Sequence, residues 1–211
     1  MRQDGRRRLT VTRERANEFD LGSRVRSLRM SRSLTLRDLA SQAGVSASAL
    51  SKIENNRLSP TYETIVRISE GLGVNIDALF SQTDIEGEKG RRSITRKGEG
   101  QIFENAAYRY EMLCTDLVAK AMIPLKARVK ANETWEVKNF VRHPGEEVLL
   151  VLSGEIELHT ELYAPVVLRA GDCTYLDSSM GHLCVLHGKS DAEIFWVCSS
   201  QRVVDLVRRA G

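Results

Sequence analysis

Three residues in the rear of the chain are the best equipped for chemistry: His143, Glu147 and His182. His143 and Glu147 stand four apart across a Pro144-Gly145 turn, Gly154 follows the glutamate by seven, and His182 follows Gly171 by eleven. Two imidazoles and one carboxylate converging on a point form a facial triad suited to Fe(II) and acceptable to Zn, Mn or Ni. One divalent metal is therefore one expectation for this site. The other is a hydrogen-bonded His–Glu pair in a metal-free pocket that binds an organic effector. Both stay open at this level. Cys184 shares a strand face with His182, and alternation brings Tyr110, Trp135, Tyr175 and Trp196 toward the same candidate effector pocket. His159 and His187 have no partner pattern and are assigned to the surface, and Arg128 and Arg142 to solvated positions.

A second constellation lies in the front of the chain. Two helices that cross closely need a small residue at the crossing, a turn residue able to take a left-handed conformation, and an apolar anchor on the second helix. Ala40, Gly44 four residues on and Leu50 ten residues on supply these in order. With Leu50 and Ile53 facing inward, the pairs Ala47/Ser51 and Ser48/Lys52 share the outward face, and Ser46 caps the helix. Small side chains there permit close approach to a major groove, and Lys52 is the candidate for a guanine edge.

The positioning elements follow from periodicity. Leu21, Val25 and Leu28 mark a first helix; Thr35, with Asp38 three residues on, opens a second; Ser46 a third; Pro60-Thr61 a fourth through Ile65, Ile68 and Leu72; Ile76–Phe80 a short fifth. After Ser81–Gly100, which reads as a linker, the period changes to two: Tyr108, Tyr110 and Met112, a buried run Val148–Leu152, Ile156 and Leu158, then Val166–Leu168. Turns at Pro144-Gly145, Ser153-Gly154 and Gly171-Asp172 separate them, which argues a β-sandwich or barrel. The expected architecture is α+β in two domains. A basic arm spans 1–19, a five-helix module 20–80, a linker 81–100, an all-β domain 101–200 and a closing helix or tail 201–211.

Composition bounds the function. The 211 residues are 42% hydrophobic and 28% charged, with a mean hydropathy of −0.28. The apolar runs Val148–Leu152 and Ile194–Cys198 are far short of the ~20 residues of a membrane helix. The first twenty residues have no apolar core after their arginines, so a secretory leader is not expected. Four cysteines without a C-x-x-C fit neither a disulfide scaffold nor a Cys-rich zinc site, and point to a reducing cytoplasm. Residues 1–80 hold 14 Lys+Arg against 9 Asp+Glu, whereas the remainder holds 17 against 19. A basic front half expects a nucleic-acid partner.

Residues 21–80, through LTLRDLASQAGVSASALSKIENNRLSPTYETIVRISEGLGV, resemble the lambda-repressor-like helix-turn-helix of the xenobiotic-response-element (XRE) family. The resemblance implies a double-stranded DNA operator and an ion pair between Arg29 and Glu54. It also implies phosphate contacts from Arg37, Gln42, Asn55, Asn56 and Arg57. The family's glycine after Glu-Asn is Asn56 here, a residue that tolerates the left-handed region. Residues 140–185 resemble the two motifs of the cupin fold. His143, Glu147 and Gly154 fit the first and Gly171 and His182 the second. Val141, Asp177 and Ser179 stand where the family has His, Pro and Gly, leaving three of four ligands. The combination implies a cytoplasmic transcriptional regulator, a homodimer through the cupin barrel, whose barrel senses a small molecule. The rival is an iron enzyme similar to hydroxypropylphosphonic acid epoxidase, with the same domain order and triad and a structural helix-turn-helix.

Overall fold

The computed structural model describes residues 20–81, 91–131 and 140–199. The basic arm 1–19, Trp135 and the closing helix after residue 200 lie outside the described residues, as does the linker between 82 and 90. Among the described residues no helix is long and apolar enough to cross a membrane.

The head contains α1 (Leu21–Ser31), α2 (Leu36–Gln42), α3 (Ala47–Glu54) and α4 (Tyr62–Leu72). The fifth helix expected from sequence is a single 3₁₀ turn, Ile76–Leu79. Each α-helix begins at a side-chain cap. Thr35 and Asp38 form a reciprocal capping box on α2, Ser46 Oγ accepts from Ala49 N at 3.0 Å on α3, and Thr61 Oγ1 accepts from Thr64 N at 3.2 Å on α4. Gly44 ends the α2 turn at φ 62°, and Asn56 takes φ 55°, as its place after Glu-Asn demands. Gly22 allows α1 to touch α3: a Cβ there would lie 2.4 Å from the Ile53 carbonyl oxygen. Arg29 Nε and Nη2 donate to the two Glu54 carboxylate oxygens at 2.7 and 2.8 Å, and Nη1 donates to the Leu34 carbonyl at 2.9 Å. This fork ties α1 to the end of α3, largely out of water.

The barrel contains β1 (Gln101–Glu104), β2 (Tyr108–Met112), β3 (Met122–Val129), β4 (Glu146–Ser153), β5 (Glu155–Thr160), β6 (Val166–Arg169), β7 (Cys173–Asp177), β8 (His182–Leu186) and β9 (Ala192–Ser199). All pairings are antiparallel, in a six-stranded sheet β1-β2-β3-β9-β4-β7 and a three-stranded sheet β6-β5-β8. Leu125, Leu149, Ile156 and Ile194 fill the space between them. Val148–Leu152 is not the uniformly buried run expected: Leu149 and Val151 face in, while Val148 and Leu152 are exposed on the outer face.

The head is packed on the barrel. Phe80 stacks on Phe103 at 5.5 Å, Phe103 on Tyr110 at 4.4 Å, and Tyr62 from the start of α4 lies 6.4 Å from Trp196 and 6.3 Å from Tyr110. Asp77, buried in the 3₁₀ turn, accepts from the Lys120 backbone N–H at 2.9 Å. Residues 91–100, expected as linker, are tied to the barrel, with Arg91 donating to the Val118 and Ala119 carbonyls.

Breaking a buried ion pair strands its partner's charge. Arg29→Ala should cost about 3–5 kcal/mol of stability, read as a fall in melting temperature; a melting curve overlaying the parent's would contradict this.

Candidate metal and effector site

Glu147 points inward as the second residue of β4, with its neighbours set by register: Cys198 on β9 and Leu176 on β7. It is 1% exposed. His143 reaches it from the segment before β4, where its own N–H donates to the Ser178 carbonyl. His182 opens β8 and pairs with Val141. The three side chains offer ligand atoms that all lie within 4.8 Å of one another.

Their orientation favours a shared cation. His182 Nδ1 faces the Met180 carbonyl oxygen at 2.9 Å, and His143 Nδ1 the Pro144 carbonyl oxygen at 3.3 Å. A carbonyl can only accept, so each Nδ1 carries the hydrogen and each Nε2 lone pair is aimed at the carboxylate. His143 Nε2 lies 2.8 Å from Glu147 Oε1 and His182 Nε2 3.5 Å from Oε2. Neither contact is a hydrogen bond, and His143 Nε2 and Glu147 Oε2 are buried polar atoms without one. Lone pairs facing a carboxylate repel unless a proton or a metal ion stands between them. Burial disfavours the His143 cation, but the Glu147 carboxylate outweighs it and holds the imidazole above its usual range. Glu147 is likewise held below the usual carboxylate range, because His143 and His182 overcome the cost of burying it. The donor set thus fits a divalent metal, with Glu147 and the two Nε2 atoms as ligands and Cys198 Sγ donating to Glu147 Oε1 at 3.3 Å behind them.

His143 and His182 line a cleft of about 1240 Å³. Tyr110, Cys184 and Trp196 line it, as does Tyr108, whose hydroxyl donates to the Cys184 carbonyl. Burial pushes the Cys184 and Cys198 thiols well above their ordinary range, so neither supplies a thiolate near neutral pH. Tyr175 is a correction: it is 63% exposed on the outer face of β7, because Leu176 takes the inward position on that strand. His159 is also less exposed than expected, with Nε2 3.6 Å from Glu157.

On the head, Ser48 and Lys52 are exposed and Ala47 and Ser51 half-buried on the outward face of α3. Arg37, Gln42, Ser46, Asn55, Asn56 and Arg57 are exposed around it. Asn55 Nδ2 donates to the Ser51 carbonyl and Asn56 Nδ2 to Asp20, both at 2.7 Å, so these amides also serve the fold. The sequence did not flag Tyr62 and Arg57 as cleft residues, yet both line it with Leu58 and Ser59. Tyr62 sits three residues before Ile65 on the α4 apolar face, the one signal that it is buried.

A helical head with an exposed recognition helix, joined to a barrel with an inward His–Glu–His cluster, defines a class: helix-turn-helix regulators with a cupin domain. Residues 22–85 match the family model of a helix-turn-helix domain and residues 131–198 that of a cupin domain, together well over half of the chain. The chain belongs to the XRE-type helix-turn-helix transcriptional regulators that carry a cupin domain. Among its relatives is the HTH-type transcriptional regulator PuuR of Escherichia coli, 26% identical over 144 residues that cover 65% of this chain and 72% of the relative. An HTH_3 family transcriptional regulator from Vibrio cholerae shares the fold, with a TM-score of 0.59 at 18% identity over 86% of this chain and 96% of that one. Hydroxypropylphosphonic acid epoxidase from S. wedmorenis aligns at a TM-score of 0.45 and 23% identity over 88% of this chain and 100% of that one.

His182→Ala should weaken cobalt(II) binding at least about tenfold in a metal titration, and Tyr175→Ala should leave it unchanged. Equal affinity in the parent and the His182 variant would remove the histidine from the ligand set.

Proposed function

We propose that this regulator binds an operator through α3 and reads a small-molecule effector in the barrel cleft, with one divalent metal held by His143, Glu147 and His182. The observation that carries this is the conjunction of an exposed recognition face centred on Lys52 with a buried carboxylate that two imidazole lone pairs confront. When bound, the metal supplies a Lewis-acidic anchor with open positions for a ligand's donor atoms. Around it, Trp196, Tyr108 and Tyr110 give an effector apolar walls. The role is non-enzymatic. An iron enzyme would need the triad alone, and its chemistry would leave the exposed Lys52 face without a purpose.

Operator binding of this type is dimeric, because one head makes too few base contacts for tight binding. The outer face of the six-stranded sheet supports a dimer through the barrel. Val148 lies across from Val197 and Tyr175, Leu150 across from Phe195 and Cys173, and none of these six side chains is buried. Such a contiguous apolar face on a sheet marks an interface. The occupant that fits it is a second copy of this chain, related by a twofold axis that places two α3 helices on two half-sites.

Lys52→Ala should weaken binding to a selected operator by about 1–3 kcal/mol, whereas Arg37→Ala should weaken it across all sequences and reduce its salt dependence. An unchanged footprint for the Lys52 variant would refute the assignment of α3. Replacing Val148 and Tyr175 together by arginine should convert a dimer to a monomer by light scattering. An unaltered mass would place the interface elsewhere.

A further inference from the structure

Tyr62 belongs to the DNA-binding head by sequence and to the barrel site by position. It is the first residue of α4, fixed by the buried Pro60 and the Thr61 cap, and it is 7% exposed. Its ring meets His143 edge-on at 5.7 Å and stacks beside Trp196 at 6.4 Å. Behind the triad the Cys198 thiol donates to Glu147. Five residues upstream is Arg57, in the loop that follows the recognition helix, and Arg57, Leu58 and Ser59 wall the same cleft. Six of the nineteen residues that line the cleft therefore belong to the DNA-binding head. A molecule seated against His143 lies beside the Tyr62 ring, which lines the same cleft.

We propose that the barrel's ligand site is a two-domain site in which Tyr62 is the latch: a ligand bound against the triad displaces the Tyr62 ring and frees the recognition head. The proposal deepens the regulator reading and rests on it. In the latched state the barrel stands beside the loop that carries the exposed Arg57 and holds that loop at the cleft rim. Release frees the loop to settle on phosphate. The ligand's differential contact with the two states is the volume of the Tyr62 ring, as any population shift requires. By reciprocity, operator DNA must also weaken the latch.

That reciprocity allows a test without the effector. The chain has two tryptophans, so a Trp135→Phe background leaves Trp196, beside Tyr62, as the sole tryptophan, selectively excited at the red edge of its absorption. The probe is an operator duplex selected from random DNA by the full-length protein. Adding the duplex should change Trp196 emission in this background. Tyr62→Ala should bind the duplex at least about fivefold tighter, within the range of typical allosteric couplings, and lose most of that emission change. Tyr62→Phe, which keeps the ring, should behave as the parent. Trp196→Leu removes the barrel side of the contact without touching the head and should also tighten binding, which covers a Tyr62→Ala protein that folds poorly. Affinities within twofold of the parent for both disruptive variants, or an emission unmoved by DNA, would overturn the latch while leaving operator binding intact. Failure of the parent to select any duplex would overturn the regulator reading itself, and the latch with it.

Discussion

A carboxylate almost wholly removed from water sits at the centre of this molecule. Glu147 cannot remain ionised there without positive charge, and its neighbours are arranged to supply it. His143 arrives from the loop before β4, His182 from the start of β8, and Cys198 from β9 directly across the ladder. Packing the three-stranded sheet, which carries His182, on the six-stranded sheet, which carries Glu147 and Cys198, brings those segments together, so the barrel and its cluster are one requirement seen twice. The backbone carbonyls that hold both Nδ1 atoms leave the Nε2 atoms no alternative direction. A proton can fill the gap between His143 and Glu147, and a divalent ion satisfies all three groups at once.

The same end of the barrel receives the head. Phe80, Phe103, Tyr110, Tyr62 and Trp196 make a continuous aromatic row from the 3₁₀ turn to the edge of the cluster. Aromatic pairs at such spacings add to the area they bury. The head is therefore no tethered module free to turn on a linker, and the chain after the linker is itself tied to the barrel by Arg91. Contact between head and barrel is direct, through Tyr62, Tyr110 and Trp196, side chains that also line the cleft. In the proposed dimer the barrel interface would set the spacing of two heads, and the cleft would govern how each head is held.

Much of the head was legible in the sequence because its determinants are local. A cap and its partner lie three residues apart, and the left-handed turn at Gly44 is a property of one residue. The triad was legible through motif spacing, since antiparallel register converts fixed separations into proximity. What escaped were questions of face and of partner. Alternation shows that Tyr175 and Leu176 point opposite ways, not which one is inside. A run such as Val148–Leu152 is apolar on both faces, and in the sequence it cannot be told from a strand buried on both sides. Tyr62 escaped because its neighbours come from a strand more than forty residues later, and no period within α4 reports them. The same non-locality turned the expected free linker into chain bound along the barrel.

The measurement that bears most directly on the central claim is metal content per chain, on protein purified without chelator or affinity nickel. A buried Glu147 held between two imidazole lone pairs predicts about one iron, zinc, manganese or nickel per chain, because those ions accept two nitrogens and a carboxylate oxygen. Protein that carries no metal, and takes up none when supplied with each of these ions in turn, would contradict it. In that case a proton on His143 balances Glu147, and the cleft would have to recognise its ligand with organic side chains alone.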